Sequence, residues 1–542
     1  MSIRVGRHVT SRIRARGWLR TESPLHVGGL ADDPSESLPI AVDGLGRLYV
    51  PGTTLAGVLR NWSRGADPES TDLDPLWGFI PKDRENDEGR ASRVIVADAL
   101  ITSEARLDEH GLPATPLDPA RLELRQSVGI DRRTGTAAQE FLYGRAVVPA
   151  GCHLRLEIDI ESDEEGPADE ARMGALLEAL RAGEVRVGAA TGRGLGAVRL
   201  LDDPFELFAD RFDTPEGLLA VLRNDPGRAR SVASLRPAEA RLPPRREVLD
   251  VRVTWTPKAP VMVRAGAAGL VVDTLPLTTR VDRRHLTLVL PGGSVKGALR
   301  AHAELVERTA RGVDAPSAGP GAPAGEYSTV FRAQLDQLPA VRALFGSARD
   351  DGADRRAGAL RAEECIAQTV VPDTLWDVVT GAEVPGEGDA ASGEQPELAE
   401  SVHDRLEELG MAQADHVALD RWTGGAADGR LFSVLEPHAV NWEPLRLSVD
   451  LTRLDAERDS ALALLLLTLR DLADGRIPLG ALTNRGFGDI DVTEISLTGG
   501  PWPEPVTLSW ALGSPEISPI AQAWTDYLAR DLVRAFAPKG LR

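Results

Sequence analysis

The sequence is poor in cysteine and aromatic residues, and it has no long hydrophobic run. Its two cysteines, Cys152 and Cys365, lie far apart in the chain, which suits neither a disulfide framework nor a zinc cluster. The longest apolar run, residues 461–469, is much shorter than the roughly 20 residues that cross a bilayer. Residues 1–17 are basic, but no apolar stretch follows them, so no secretory signal is expected. These absences predict a protein of the cytoplasm that has no membrane partner.

Lysine is also scarce, and the chain has a formal net charge of −20 at pH 7. Such an acidic total argues against a nucleic-acid partner, but the acidic residues are concentrated. Residues 383–408 are acidic and rich in glycine, alanine and proline, which predicts a flexible surface insertion. The cations are nearly all arginine, which suits bidentate contacts with phosphate. Net charge alone therefore excludes no class of partner.

A glycine-rich segment, TGRGLGAVRL at residues 191–200, is typical of a turn whose backbone approaches a phosphate closely. It lacks the Lys-Ser/Thr of a Walker loop. Its helix-like segment comes before the glycines, where a dinucleotide-binding motif would have a strand. On its own, the segment also fits a plain tight turn between a helix and a strand.

The chain repeats its motifs in the same order. The segment TNRGFGDIDV at 483–492 has the same design as residues 191–200. Three further blocks match, namely residues 48–62 with 288–302, 76–79 with 344–347, and 128–149 with 417–438. Four collinear blocks indicate two copies of one domain. The length of 542 residues, which exceeds the usual size of a single core, agrees with this interpretation.

Each copy predicts an α+β fold. In the first copy, apolar and alternating segments predict strands, and residues 51–62 and 168–183 predict helices. The order βαββαβ is that of a ferredoxin-like (RRM-like) domain, an antiparallel sheet with helices on one face, here with hairpin insertions that resemble a thumb. The predicted boundaries are 1–202 for the first domain, 203–245 for a linker with some helix, 246–497 for the second domain and 498–542 for a C-terminal extension with a helix.

Together these motifs resemble the RAMP superfamily of CRISPR proteins. The motifs that carry the resemblance are VPGTTLAGVLR, LWG followed by VIVADAL, IDRRTG and GRGLG, and related blocks recur in the second half. The chain looks most like two fused backbone subunits of a type III CRISPR effector complex. The resemblance implies that the protein binds crRNA as a guide, pairs it with target RNA, and assembles with other subunits of that complex.

The resemblance implies RNA contacts at three kinds of segment. The helix openers, meaning the first turns of the two helices after the Pro-Gly motifs, would face phosphates, with an ordinary capped helix as the alternative. Each glycine turn would lay an arginine along the RNA backbone. The hairpin tips would contact the guide–target duplex, or their aspartates would hold the arginines in salt bridges as scaffold. The predicted RNA-binding residues are Thr53, Thr54, Arg60, Ser294, Lys296 and Arg300 at the helix openers, Arg193 and Arg485 at the turns, and Arg132, Arg133, Arg421 and Trp422 at the tips.

The resemblance also implies endonucleolytic cleavage of target RNA, which in this family depends on an aspartate shortly before a proline. The 2′-hydroxyl of RNA is the nucleophile, and a carboxylate can hold a divalent metal, here Mg or Mn, or accept a proton. In the second copy this residue is Asp273, three residues before Pro276. In the first copy Ser37 takes its place, with Asp33 and Asp32 as weaker candidates.

Three functions are consistent with these predictions. The first is a guide-RNA backbone subunit that cleaves target RNA at its second domain, and the second is the same scaffold without activity. The third is a stand-alone endoribonuclease that processes precursor guide RNA. The third is disfavoured because no histidine lies near Thr191 or Thr483 in the sequence to act as acid or base beside a glycine turn.

Overall fold

A computed structural model describes residues 8–30, 37–67, 70–80, 89–163, 166–235, 242–266, 269–316, 324–347, 356–381, 398–508 and 518–536. The chain divides into two compact units. The first comprises Met1–Arg125, Gly144–Thr191 and Leu195–Arg246. The second comprises Gln126–Tyr143, Gly192–Gly194 and Glu247–Arg542, and so includes two short segments of the first sequence repeat.

The first repeat and the segment after it contain both strands and helices. The strands are β1 (Ser11–Thr21), β2 (Tyr49–Val50), β3 (Val94–Val96), β4 (Ala99–Thr102), β5 (Glu123–Ile130), β6 (Ala137–Val147), β7 (His153–Ser162), β8 (Val198–Leu200) and β9 (Glu206–Arg211). The helices are α1 (Gly52–Arg64), α2 (Asp74–Trp77), α3 (Gly166–Ala182) and α4 (Pro215–Leu222). β5 and β6 form a separate hairpin.

The first unit is built on an antiparallel sheet in the order β4–β7–β1–β8. β1 pairs with β7 along ten residues, from Ser11 opposite Ser162 to Arg20 opposite His153. α1 follows β1 in the chain and α3 follows β7, and both helices contribute to the core on the sheet. This strand order with two crossing helices is the ferredoxin-like arrangement.

Apolar and charged residues alternate along β1 because the two faces of the strand have different surroundings. Ile13, Ala15 and Leu19 are buried in the core together with Leu59 of α1 and Leu177 of α3. The intervening arginines form ion pairs across the sheet, Arg12 with Glu161, Arg14 with Asp210 and Arg16 with Asp159. These arginines therefore stabilise the sheet.

The second repeat has the same plan with more insertions. Its strands are β10 (Val248–Pro257), β11 (Thr278–Arg280), β12 (His285–Leu290), β13 (Gly346–Ser347), β14 (Arg356–Ala357), β15 (Leu360–Ala362), β16 (Cys365–Ile366), β17 (Val371–Pro372), β18 (Met411–Leu419), β19 (Ala426–Pro437), β20 (Leu445–Asp450), β21 (Ile490–Gly499) and β22 (Trp502–Thr507). Its helices are α5 (Gly292–Ala310), α6 (Ala324–Leu335), α7 (Pro339–Phe345), α8 (Asp373–Thr380), α9 (Glu400–Glu408), α10 (Arg458–Ala473) and α11 (Ser518–Phe536).

The sheet of the second unit has the order β15–β20–β10–β21–β22. Its first four strands repeat the order of the first unit, with β10 in the place of β1 and β20 in the place of β7. α10 contributes Leu464, Leu465 and Leu469 to the core of this unit, beside Val251 and Val253 of β10. The repeated topology confirms the predicted α+β fold of two tandem ferredoxin-like domains. β18 and β19 form a separate hairpin that corresponds to β5–β6.

Residues 203–245 differ from the predicted linker. β9 pairs with Ser11–Arg16 of β1, at the half of that edge which β8 leaves open. Leu207 of β9 is buried in the first core, because this pairing extends the sheet. The segment is therefore part of the first unit.

Two predictions concern the second half. Of the predicted acidic insertion at 383–408, residues 383–397 lie outside the described residues, and Glu400–Glu408 form α9. The predicted C-terminal helix is confirmed by α11, whose Ile520, Trp524 and Leu528 pack on the second core. Across the described helices, none is both long and apolar enough to span a bilayer.

Candidate nucleic-acid interface

The two glycine turns have the same backbone conformation. Each is a single 3-10 turn, Thr191–Arg193 or Thr483–Arg485, between a helix and a strand. A Cβ at Gly488 would lie 2.5 Å from the carbonyl oxygen of Leu479, so this position requires glycine. Positive φ angles recur at matching positions, with 59° at Ala190 and 57° at Leu482, 93° at Gly194 and 88° at Gly486, and 81° at Gly196 and 84° at Gly488.

Each turn places its arginine against an aromatic side chain of a hairpin. Arg193 Nη1 donates to the Tyr143 hydroxyl at 3.0 Å, and the guanidinium of Arg485 lies 5.4 Å from the centre of the Phe432 ring. Tyr143 and Phe432 occupy corresponding positions of β6 and β19. Both arginines are exposed, which leaves guanidinium donors accessible to a phosphate. Their contact with RNA stays a prediction.

Lys296 of α5 lies within a cluster of positive charges in the second unit. Its ammonium group donates a hydrogen bond to the carbonyl oxygen of Leu360. Burial is the main cause that lowers the pKa of Lys296 to about 8, and nearby cations lower it further. These cations are Arg193, Arg300, Arg453 and Arg361. The contribution that these arginines add to the effect of burial indicates a positive local potential, which favours an anion.

Neither α1 nor α5 has a side-chain cap at its N-terminus. The N–H of Gly52, the first residue of α1, donates to Asp98 Oδ1 at 2.7 Å, and no threonine side chain caps this helix. The N–H groups of Thr54 and Ser294 are bonded to the carbonyl of the proline three residues before each of them. Asp98 therefore occupies the first amide of α1, which is not free for a phosphate.

The arginines further along these helices contact carboxylates. Arg60 Nη2 lies 3.3 Å from Asp74 Oδ1, and Arg300 Nε donates to Glu304 Oε1 at 2.7 Å. Arg60 and Arg300 remain about one-third exposed, at 34% and 30%. Thr53 is exposed at the start of α1. Contacts of these three residues with RNA stay predictions.

Both hairpins end in the same Asp-Arg-x-Thr-Gly turn. In each, one carboxylate oxygen accepts from the backbone N–H groups two and three residues later, at 2.8 and 3.2 Å for Asp131 and at 2.8 and 2.9 Å for Asp420. The glycines Gly135 and Gly424 have φ angles of 70° and 71°. The aspartates therefore hold the turns through the backbone, where the sequence had suggested salt bridges to the arginines.

The tip of the first hairpin packs on helices of the second unit, to which it belongs. Arg132 Nε lies 3.3 Å from Glu304 Oε2, and the Arg133 guanidinium lies 5.0 Å from the centre of the Tyr327 ring. Burial lowers the pKa of Arg132, while the charge of Glu304 opposes that shift. These contacts favour the scaffold interpretation for Arg132 and Arg133.

The tip of the second hairpin is exposed instead. Arg421 and Trp422 stand at the positions of Arg132 and Arg133. Arg421 is exposed, and the Trp422 side chain is 97% exposed. The two tips therefore share a backbone and differ in what surrounds them.

Asp273 lies against the second hairpin, where Ser433 fixes its carboxylate. Asp273 Oδ2 accepts from the Ser433 N–H at 2.8 Å and from the Ser433 hydroxyl at 3.2 Å. The next residue, Thr274, bridges Val434 of β19. The side chain is half-buried, and within the described ranges no donor contacts its Oδ1. The loop thus presents one carboxylate oxygen beside the hairpin that carries Phe432.

A comparison with protein families matches the RAMP superfamily at residues 18–199 and at residues 260–491. These two ranges cover most of the chain. The protein belongs to the RAMP superfamily. The two ranges correspond to the two repeats, so the chain carries two RAMP domains in tandem. Membership is consistent with a CRISPR-associated RNA-binding subunit. No curated protein matches the chain.

The first RAMP domain places Ser37 where the second has Asp273. Gly144 of β6 aligns with Ser433, and a Cβ on Gly144 would lie 2.1 Å from Ser37 Oγ. Residue 37 therefore meets its hairpin at the point where Asp273 meets Ser433, as the sequence alignment of the copies implied. The weaker candidates Asp32 and Asp33 lie outside the described residues.

The second RAMP domain also has a titratable cluster that the sequence reasoning missed. His416 Nε2 lies 2.7 Å from Glu436 Oε1, and His438 Nε2 lies 2.8 Å from Glu436 Oε2. The His416 ring stacks on Phe432 at 5.4 Å. Aligning the copies would have singled these residues out, because the first domain has Ser127, Val147 and Pro149 there. Where the chain is described, no three His, Cys, Asp or Glu side chains are arranged to hold a metal ion.

Proposed function

We propose that this RAMP protein is a guide-RNA-binding backbone subunit of a type III CRISPR effector complex. In that role it holds crRNA and pairs it with target RNA. The observation that carries the proposal is the cationic cluster of the second unit, in which burial and, after it, the charges of four arginines lower the pKa of Lys296 to about 8. A phosphate backbone is the kind of anion that a cluster of lysine and arginine side chains attracts.

The glycine turns supply the second part of the argument. Arg193 and Arg485 emerge from turns with matching positive φ angles, and Arg193 donates to the Tyr143 hydroxyl while Arg485 lies over the Phe432 ring. An arginine already held by an aromatic side chain loses less side-chain freedom when it binds phosphate. Two equivalent turns in one chain suit two equivalent stretches of a regular backbone such as that of RNA.

The hairpins supply the third part. Several apolar side chains on both of them are exposed, which is costly unless a partner covers them. RNA bases offer flat faces that stack on such surfaces. We therefore assign the hairpin strands to the guide–target duplex. The exposed side chains are Leu124, Val128, Ile130, Phe141 and Leu142 on β5–β6, and Val417, Leu419 and Leu431 on β18–β19.

Binding of a labelled short single-stranded RNA at several salt concentrations tests this proposal. The variant Arg193→Ala with Arg485→Ala should weaken binding on the order of 10-fold at low salt. It should also reduce the slope of log K against log salt by about 1.4, since each lost phosphate contact removes about 0.7. Unchanged affinity and slope would contradict the proposal.

The matched control is Arg199→Ala with Arg252→Ala. These are two exposed strand arginines outside the turns, so the control removes the same net charge. We expect the control to change affinity by less than the turn variant. An equal loss in the control would mean that net charge, and not the turns, sets the affinity.

The proposal extends to cleavage of target RNA at the second domain. Ser433 fixes one oxygen of Asp273 at the edge of the hairpin. A loop carboxylate held by a residue of a strand can accept the proton of the 2′-hydroxyl or orient the scissile phosphate. The first domain has Ser37 at this place, and a serine hydroxyl is a poor base. We therefore expect one cut from this chain.

A divalent Mg or Mn ion fits this site in a limited way. Mg²⁺ commonly binds one or two carboxylates together with substrate phosphates and water. One carboxylate oxygen, Asp273 Oδ1, has no donor among the described residues and matches the lower end of that requirement. A bound ion would supply charge neutralisation at the scissile phosphate. Asp273 would hold it with the RNA itself.

A further inference from the structure

In the second RAMP domain, a parallel bridge between Thr274 and Val434 seats the loop of Asp273 on the hairpin strand β19. The N–H of Thr274 donates to the carbonyl of Ser433, and the N–H of Leu435 donates to the carbonyl of Thr274, both at 3.0 Å. The Ser433 hydroxyl accepts from the Asp273 N–H at 3.0 Å and donates to Asp273 Oδ2 at 3.2 Å. A single hydroxyl thus holds both the backbone and the carboxylate of Asp273.

The first domain keeps this backbone arrangement and changes both side chains. The N–H of Leu38 donates to the carbonyl of Gly144 at 2.9 Å, and the Leu38 carbonyl accepts from the N–H two residues further along β6 at 3.0 Å. Ser37 precedes this bridge, as Asp273 does in the second domain, and Gly144 takes the place of Ser433. A Cβ on Gly144 would lie 2.1 Å from Ser37 Oγ and 2.9 Å from Ser37 Cβ. The Ser37 side chain therefore fills the space that a serine at position 144 would need.

Ser433 also determines which carboxylate oxygen of Asp273 is available to a substrate. Its N–H and its hydroxyl both donate to Oδ2, at 2.8 and 3.2 Å. Among the residues that the structure describes, no donor contacts Oδ1. An aspartate side chain otherwise rotates about its bonds, and catalysis gains when a reacting group is held in one geometry. Two donors on one oxygen therefore preorganise the other oxygen.

We propose that Ser433 is a positioning residue for the cleavage of target RNA, and that the side-chain pair at this bridge decides whether a RAMP domain cuts. Asp273 with Ser433 makes the second domain active, and Ser37 with Gly144 makes the first domain silent. This role of Ser433 rests on the proposed cleavage at Asp273. In that step the 2′-oxygen bonds to phosphorus as the bond from phosphorus to the 5′-oxygen breaks. Oδ1 of Asp273 accepts the 2′-hydroxyl proton, and water donates a proton to the leaving 5′-oxygen.

Single-turnover cleavage of a labelled target RNA by the assembled complex, with Mg or Mn, tests the role of Ser433. Ser433→Ala should slow the cut on the order of 10-fold, because one donor to Oδ2 is lost, while affinity for the target stays the same. Ser433→Thr keeps the hydroxyl and should cut near the wild-type rate. In an Asp273→Ala background, Ser433→Ala should cause no further slowing, because it acts through that carboxylate. Ser460→Ala, at a similarly buried serine of α10, is the control and should leave the rate unchanged.

Moving the pair into the first domain tests the second half of the proposal. Ser37→Asp with Gly144→Ser reproduces the pair of the second domain on the same backbone arrangement, so this variant should add a cut at a new position on the target. Ser37→Asp alone lacks the hydroxyl and should form that product on the order of 10-fold more slowly. The wild-type cut at the second domain should persist in both variants.

Urea unfolding of the full chain without RNA or metal gives a readout that is independent of cleavage. Ser433→Ala should lower the free energy of unfolding in the wild type. It should lower this free energy less in Asp273→Ala, where the contact is already lost. Equal losses in the two backgrounds would overturn the role of Ser433.

The outcomes separate this proposal from the proposed function. If Asp273→Ala loses its cut while Ser433→Ala cuts at the wild-type rate, cleavage stands and the positioning role falls. The role of the pair is overturned if Ser37→Asp with Gly144→Ser is folded by circular dichroism and adds no cut, or if Ser37→Asp alone cuts as fast as the double variant. If the double variant does not fold, the Ser433 variants decide. Intact cutting in Asp273→Ala removes the nuclease from this chain, and the positioning role falls with it.

Discussion

The two hairpin tips have the same turn and different surroundings. Asp131 and Asp420 hold their Asp-Arg-x-Thr-Gly turns with equivalent hydrogen bonds. However, Arg132 is paired with the buried Glu304, while Trp422 is almost fully exposed. The local sequence determines the backbone of the turn, and the helix packed against it determines whether the side chains of the tip are buried or exposed. In a duplicated protein, a contact made by one copy therefore indicates what the other copy lacks.

The loops before the hairpins show the same kind of difference. Asp273 bonds to Ser433 in the second domain, and Ser37 lies against Gly144 in the first. The nearby cluster of His416, His438 and Glu436 is also specific to the second domain, since the first domain has other residues at these positions. At these matched positions, the titratable side chains are thus found in the second domain.

The largest expected effect concerns this asymmetry. Within the assembled complex and with Mg or Mn, Asp273→Ala should slow one cut of the target RNA on the order of 100-fold or more, because a fixed carboxylate is lost. Target binding should barely change, since many phosphate contacts set it. Mapping the cuts on end-labelled RNA measures both domains at once. Ser37→Ala, Asp32→Ala and Asp33→Ala should leave the pattern unchanged.

Intact cutting in Asp273→Ala would remove the nuclease from this chain and leave a scaffold. Loss of a separate band in Asp33→Ala would show that the first domain cleaves through a displaced carboxylate. Either result would break the asymmetry between the domains.

The second prediction compares the two tips in stability. Arg132→Ala leaves Glu304 with one fewer partner, so it should destabilise the second unit by about 2 kcal/mol. Arg421→Ala removes an exposed side chain and should change stability by less than about 0.5 kcal/mol. Urea unfolding followed by circular dichroism measures both. Equal effects would mean that the packing of the first tip contributes nothing to the stability of the second unit.

The third prediction compares Asp98, which accepts from the first amide of α1, with Thr53 at the start of the same helix. Asp98→Ala removes the acceptor of the Gly52 N–H, and losing such a cap typically costs about 1 kcal/mol. Thr53→Ala should cost less, because Thr53 is exposed and makes no cap. Thermal unfolding of the two variants separates them. A larger loss of stability in Thr53→Ala than in Asp98→Ala would mean that the threonine side chain caps the helix.

The smallest expected effect is a pH dependence of RNA binding. Lys296 has a pKa lowered to about 8, so it is charged below that pH and loses its proton as the pH rises through it. Affinity for a short RNA should therefore fall a few-fold between about pH 7 and about pH 9. Lys296→Arg keeps its charge and should show a flatter profile. Parallel profiles would mean that Lys296 does not face the RNA.

Local patterns predicted the fold well. The alternation of β1, the helix at 51–62 and the two glycine turns depend on neighbouring residues, and the structure has all of them. The missed features depend on distant residues. Asp98 caps α1 from 46 positions away, and Glu304 pairs with Arg132 of the other repeat. No periodicity or spacing in the sequence announces such pairs.

The central claim, that this RAMP protein holds a guide RNA, is tested most directly by the nucleic acid that it carries. The full chain, purified from cells that express a CRISPR array, should retain short RNA. Sequencing should find a fixed 5′ segment followed by heterogeneous sequence, and the Arg193→Ala with Arg485→Ala variant should retain less of it. Purification without RNA, or with RNA of random 5′ ends in equal amount in both proteins, would contradict the account.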